Sequence, residues 1–169
     1  LASRVPNVRL HIMGGVDDEE YGSECHALVE TLGVRDLIFT GRVNVVEYME
    51  KLDFTILTSI SEGQPLSVLE SLAARRPCVT TEVGCCRELL EGAPGDDFGV
   101  AGFVTPPMYR KGLADAMERM CTSRARRIEM GERGQRRVAT YFLHEQMLAN
   151  YRALYDETAQ AFDLPREGE

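Results

Sequence analysis

Short apolar runs and segments with helical spacing alternate as far as Thr105, and this alternation constrains the fold more than any other feature. Val8 to Met13 alternates apolar and polar residues and stops at Gly14-Gly15, the pattern of a strand running into a glycine turn. Asp17-Asp-Glu-Glu20 follows, and acidic residues suit a helix's first turn because they face the positive end of its dipole. A helix over 18–32, ending at Gly33, is expected. Leu37 to Thr40, closed by Gly41, reads as a second strand, 45–51 as a short helix and Phe54 to Leu57 as a third strand. The pattern continues with a helix from Pro65 to Ala74, a strand Cys78 to Thr81, a helix from Arg87 to Leu90 and a strand Phe103 to Thr105. Repeated βα units with short loops predict an α/β fold: a Rossmann-like parallel sheet with helices on both faces, binding ligands outside the carboxyl ends of its strands. After Pro106-Pro107 helices are predicted over 109–122, 124–141 and 144–161, giving a domain over 1–162 and a frayed tail at 163–169.

A chain of 169 residues can bury the core of one compact domain. It contains no apolar run of the ~18 residues a membrane span needs. The formal net charge of -8 argues against a nucleic-acid partner, which requires a surplus of Lys and Arg. An anionic ligand must therefore be held locally, by backbone donors or a few cations. Cys25, Cys78, Cys85, Cys86 and Cys121 are odd in number and lack zinc-site spacing, which fits free thiols in a reducing cytoplasm. Residues 109–137 hold nine basic side chains against four acidic ones. Two readings apply: solvated helix faces, or a weak contact with anionic lipid headgroups. The chain has no initiator Met and begins close to its first strand, which leads us to expect a piece of a longer protein.

Thr58 to Ala73 lies where the third strand ends and the next helix begins. Gly63 permits close backbone approach, and Pro65 suits the first helical position, where its missing N–H costs nothing. The N–H groups of Leu66 and Ser67 then point out of the helix start, forming with the dipole a site for an anion or a sugar hydroxyl. Glu70 shares a stripe with Leu66 and Ala73 that is expected to pack on the sheet, and a carboxylate there needs a partner. Leaning back toward the helix start, it can converge with Glu62 on one pocket. With 18 Glu in the chain, about two pairs at this spacing arise by chance, so the strand-loop-helix context carries the signal. Elsewhere, Cys85-Cys86 at a helix start are expected to be inert, and His11, His26 and His144 structural. Met147, Leu148, Tyr151, Leu154 and Tyr155 form an apolar stripe read as packing, part of which could face another domain.

Glu62-Gly-Gln-Pro-Leu-Ser-Val-Leu-Glu70 resembles the E-x7-E signature of retaining GT-B glycosyltransferases of the family 4 (group 1) type. Phe39-Thr-Gly-Arg-Val43, Ala73-Ala-Arg-Arg-Pro77, Val83-Gly84 with Glu88, Ala101-Gly-Phe-Val104 and Met130-Gly131 recur in the family's order. Thr58 to Leu66 and Val83 to Gly92 are most similar to the PelF-type enzymes of Pel exopolysaccharide synthesis. The resemblance implies the C-terminal, donor-binding half of a GT-B fold, whose substrate is a nucleotide-diphospho-sugar such as UDP-glucose. It implies that Glu70 binds the ribose hydroxyls and that Glu62 sits at the donor sugar as the catalytic carboxylate. Gly63, Gln64, Pro65, Leu66 and Ser67 would hold sugar hydroxyls and diphosphate oxygens. Gly14 and Gly15 match the glycine turn after a motif strand, and Arg42 and Val43 lie where main chain contacts the base. No cofactor and no tightly bound metal are implied.

The family generally carries Gly where this chain has Arg75-Arg76, a departure expected to alter only the exposed end of the helix. Its diphosphate-clamping Arg and Lys precede the strand that comes first here, and its acceptor-binding N-terminal domain lies outside this chain. The implied enzyme works in the cytoplasm, peripherally at a membrane synthesis complex, on a polysaccharide or lipid-linked acceptor. Alternatives are a GT-B sugar-nucleotide epimerase and a non-catalytic nucleotide-binding module.

Overall fold

The computed structural model describes residues 4–162, so the expected frayed tail lies outside the described residues. The alternation holds: β1 (Leu10–Met13), α1 (Glu19–Thr31), β2 (Leu37–Gly41), α2 (Val45–Met49), β3 (Thr55–Leu57), α3 (Leu66–Ala73), β4 (Cys78–Thr81), α4 (Cys86–Glu91) and β5 (Gly102–Thr105). Then α5 (Arg110–Cys121), α6 (Arg124–Tyr141) and α7 (His144–Ala161) complete the order. The acidic run begins α1 as expected: the Asp18 carboxylate accepts the Tyr21 N–H at 3.0 Å, with Glu19 and Glu20 in the first turn.

All strand pairs are parallel, but they form two ladders, β1–β2 and β3–β4–β5, rather than one continuous sheet. The core belongs to the second ladder. β4 is buried along its whole length, and its side chains alternate between two layers. Cys78 packs with Val68, Leu72, Leu89, Leu90 and Ala101 on one face. Val79 packs with Ala116, Met120 and Met130 on the other. Helices α3 and α4 thus cover one face and α5 the other, with α6 reaching the first through Val138 and the second through Met130. Leu72, Leu89 and Leu90 are fully buried, each contributing about 1.5–3 kcal/mol before entropy is counted. Around the first ladder, Leu10, Ile12, Leu28 and Ile38 remain exposed.

One basic residue of the 109–137 segment is structural. Arg137 on α6 and Asp96 in the loop after α4 are 1% and 3% exposed and form a two-pronged ion pair, at 2.5 and 3.0 Å. The same guanidinium donates to the carbonyls of Leu89, Leu90 and Gly99, filling the open end of α4. Neither solvation nor lipid contact describes it. Others in the segment are neutralised at the surface, Lys111 by Asp115 and Arg133 by Glu129. The α7 stripe does not pack: the helix buries no residue, and Met147, Leu148, Tyr151, Leu154 and Tyr155 are exposed. Among the described residues no helix is long and apolar enough to cross a membrane.

The Arg137 guanidinium holds the Asp96 carboxyl below its ordinary pKa. Asp96 therefore contributes fully above the unfolded value of about 3.9, and that contribution fades as pH falls through the lower folded value. Asp96→Ala should cost about 3–5 kcal/mol in urea unfolding, because it strands a buried charge. Asp96→Asn should flatten the loss of stability as pH falls below about 4; an unchanged acid limb would mean that other carboxylates govern it.

Candidate functional site

The loops that follow β3 and β4 at their carboxyl ends are laced together through backbone. Cys85 N–H donates to the Gly63 carbonyl at 2.9 Å. Gly84, at φ 51, comes so close that a Cβ there would stand 2.0 Å from the Gly63 oxygen and 2.6 Å from the Glu62 oxygen. Only glycine allows this approach. Hydroxyls extend the lacing: Thr81 Oγ1 donates to the Ser59 carbonyl at 2.5 Å, and Ser59 Oγ donates to Glu62 Oε1 at 2.7 Å. Glu62 is half-buried and oriented by Ser59, which Thr81 of β4 holds, whereas Gly63 and Gln64 are exposed beside it.

Pro65 is the N-cap of α3 rather than its first helical residue, and its buried ring supplies no side-chain acceptor. Its carbonyl takes the N–H groups of Val68 and Leu69, at 3.1 and 3.4 Å. The N–H groups of Leu66 and Ser67 lie before the first intrahelical bond and face outward on exposed residues. These are the open donors the sequence implied. The stripe assigned to Glu70 needs correction. The buried face of α3 is Pro65, Val68, Ser71 and Leu72, so Leu66, at 69% exposed, shares the outer face with Glu70 and Ala73. Glu70 is a solvent-facing carboxylate one turn into the helix, in no need of a buried partner.

Gly14, Gly15 and Arg42 come together at the carboxyl end of the first ladder. Gly14 N–H donates to the Gly41 carbonyl at 3.0 Å. The Arg42 side chain crosses Gly15, where a Cβ would meet its Nε at 2.8 Å, and pairs with Asp17 at 3.5 Å on open surface. Val43 is half-buried beside it. All the candidate residues thus sit at carboxyl ends of parallel strands, on two separate ladders.

The competing chemistries lose ground. Burial pushes the thiols of Cys85 and Cys86 upward, opposite to the activation a helix start can give. His11 Nδ1 is 2.6 Å from the Tyr48 hydroxyl, and His26 lies against Phe39 with ring centres 4.0 Å apart. Among the described residues no three His, Cys, Asp or Glu side chains are grouped as metal ligands.

The family described as glycosyl transferases group 1 matches residues 1–123. The chain belongs to that family. Among curated relatives, N-acetyl-alpha-D-glucosaminyl L-malate synthase of Bacillus anthracis is 28% identical over 130 residues, covering 76% of this chain and 32% of that protein. The chain therefore spans about a third of that relative's length. Sucrose-phosphate synthase of Thermosynechococcus elongatus superposes with a TM-score of 0.81 at 22% identity, over 94% of this chain and 40% of that one. HepE of Anabaena, solved in complex with UDP-glucose, gives 0.75 at 21% identity, over 90% of this chain and 43% of that one. The group 1 chain has the α/β fold of the C-terminal domains of GT-B glycosyltransferases.

The lacing makes an asymmetric prediction for two neighbouring glycines. Gly84→Ala should cost on the order of 1–3 kcal/mol through strained φ and the carbonyl clash. Gly63→Ala, whose Cβ meets nothing within 4 Å, should stay within about 0.5 kcal/mol of the parent. Denaturant unfolding of both variants is the check, and equal effects would show that the loops are not held by this contact.

Proposed function

We propose that this group 1 domain binds the donor of a retaining, family 4 type glycosyltransferase that moves a hexose from a nucleotide-diphospho-sugar to a growing polysaccharide. The observation that carries the reading is the Pro65-capped start of α3, with two uncapped N–H donors between the carboxylates Glu62 and Glu70. Backbone donors at a helix start hold diphosphate oxygens or sugar hydroxyls without a large positive surface, which suits a chain of net charge -8. Exposed Glu70 offers two acceptor oxygens to ribose hydroxyls. Glu62, steadied by Ser59, would hydrogen-bond the donor sugar and stabilise positive charge as the glycosidic bond breaks. Gly14, Gly15, Arg42 and Val43 would meet the nucleotide from the other ladder.

The likeness of the Thr58 to Leu66 and Val83 to Gly92 segments to PelF-type enzymes supports UDP-glucose as donor and Pel exopolysaccharide synthesis as the setting. HepE, a structural neighbour, was solved with UDP-glucose. In this reading the enzyme works on the cytoplasmic side as a peripheral member of a membrane complex. An N-terminal domain receives the polysaccharide or lipid-linked acceptor.

Steady-state kinetics of the full-length enzyme with UDP-glucose test these roles. Glu70→Ala should raise the donor KM about tenfold or more, the loss of charge-assisted hydrogen bonds. Glu62→Gln should lower kcat about a hundredfold with a small change in KM. Parent kinetics in both variants would refute the site. Product analysis with and without acceptor separates transfer from epimerisation.

A further inference from the structure

At the amino ends of β3 and β4, on the opposite edge of the ladder from Glu62, lies a cleft of about 230 Å³. Lys51, Arg75, Arg76, Arg124 and Arg127 line it, against the two carboxylates of Glu50 and Asp53. This excess of three positive charges stands in a chain whose formal net charge is -8. We propose that the cleft binds a phosphate-bearing anion, either a soluble phosphate ester or a lipid headgroup.

Several of these cations are held in place before any ligand arrives. Arg76 donates through Nε and Nη2 to the carbonyls of Met49 and Glu50, at 2.9 and 3.1 Å. Arg127 donates to the carbonyls of Met120 and Cys121 and pairs with Asp53 at 3.0 Å, leaving 15% of its side chain exposed. Arg75 is fixed by its Nε bond to Gln135 Oε1 at 2.9 Å, which leaves its two terminal amino groups for another acceptor. Asp53 neutralises Arg127, while Lys51, Arg75 and Arg124 are exposed at the cleft. Guanidinium groups pre-set in this way offer their remaining N–H donors to the oxygens of a phosphate.

Arg75 also occupies a position that its backbone disfavours. Arg75 N–H donates to the Leu72 carbonyl at 3.0 Å and Arg76 N–H to the Ser71 carbonyl at 2.8 Å, the bonding that ends a helix on a left-handed residue. Arg75 is that residue, at φ 59, where glycine is usual. Helix α6 packs onto this turn through Gly131, where a Cβ would lie 2.1 Å from the Arg75 oxygen. An arginine at such a turn costs stability that glycine would not, and an anion offsets the crowding of like charges around its side chain. The Arg75-Arg76 departure reaches beyond the exposed helix end, because Arg75 bonds Gln135 on α6 and Arg76 bonds the carbonyls of Met49 and Glu50.

The test uses thermal melts of the protein with inorganic phosphate, against chloride of equal ionic strength, for the parent, Arg75→Gly and Arg75→Gly/Arg124→Gln. Without phosphate, Arg75→Gly should melt at or above the parent, since glycine relieves the turn. The phosphate-dependent rise in Tm should be saturable in the parent, need at least tenfold more phosphate in Arg75→Gly, and vanish in the double variant. Co-sedimentation with phosphatidylglycerol vesicles separates the sources: capture lost in the double variant assigns a headgroup, and a phosphate response without capture assigns a soluble ester. A phosphate response equal in all three proteins, or no response to either probe, overturns the proposal.

Discussion

The carboxyl edge of the three-stranded ladder depends on one backbone contact, the approach of Gly84 to the carbonyls of Glu62 and Gly63. Parallel pairing of β3 with β4 brings the two loops side by side, but a side chain at Gly84 would force them apart. With that contact made, Thr81 fixes Ser59, Ser59 fixes Glu62, and Pro65 starts α3 at a defined point. The chain of causes runs from a glycine in the loop after β4 to a carboxylate in the loop after β3.

The fold was legible because each βα unit carries its own punctuation. Strands end at Gly14 and Gly41, Asp18 caps α1, and β-branched and aromatic runs fall where ladders form. The division into two ladders was not legible, because strand pairing is decided between segments far apart in sequence. Nor was the role of Arg137, which looks like any base in a basic helix until Asp96 and three carbonyls surround it. Helical spacing around Glu70 offered two stripes. Leu66 favoured the wrong one, while Val68 and Leu72 at i,i+4 carried the right one. Pro65 decides between them, since its buried ring turns Leu66 outward. The α7 stripe shows that apolar periodicity marks a surface to be covered without saying by what.

The two edges of the ladder treat negative charge differently. At the carboxyl edge the donors are main-chain N–H groups flanked by carboxylates, which suits a polar ligand whose phosphates meet backbone and whose hydroxyls meet Glu62 and Glu70. At the amino edge they are guanidinium groups fixed by helix-end carbonyls. If both proposals hold, an acidic chain presents two unlike sites for anions without carrying net positive charge.

The most direct measurement is an amide NMR titration of the protein with UDP-glucose. If the α3 start is the donor site, the largest saturable shifts fall on the N–H groups of Gly63, Leu66 and Ser67, and Glu70→Ala weakens them. Saturable shifts confined to other residues, with Gly63, Leu66 and Ser67 unmoved, would contradict the account.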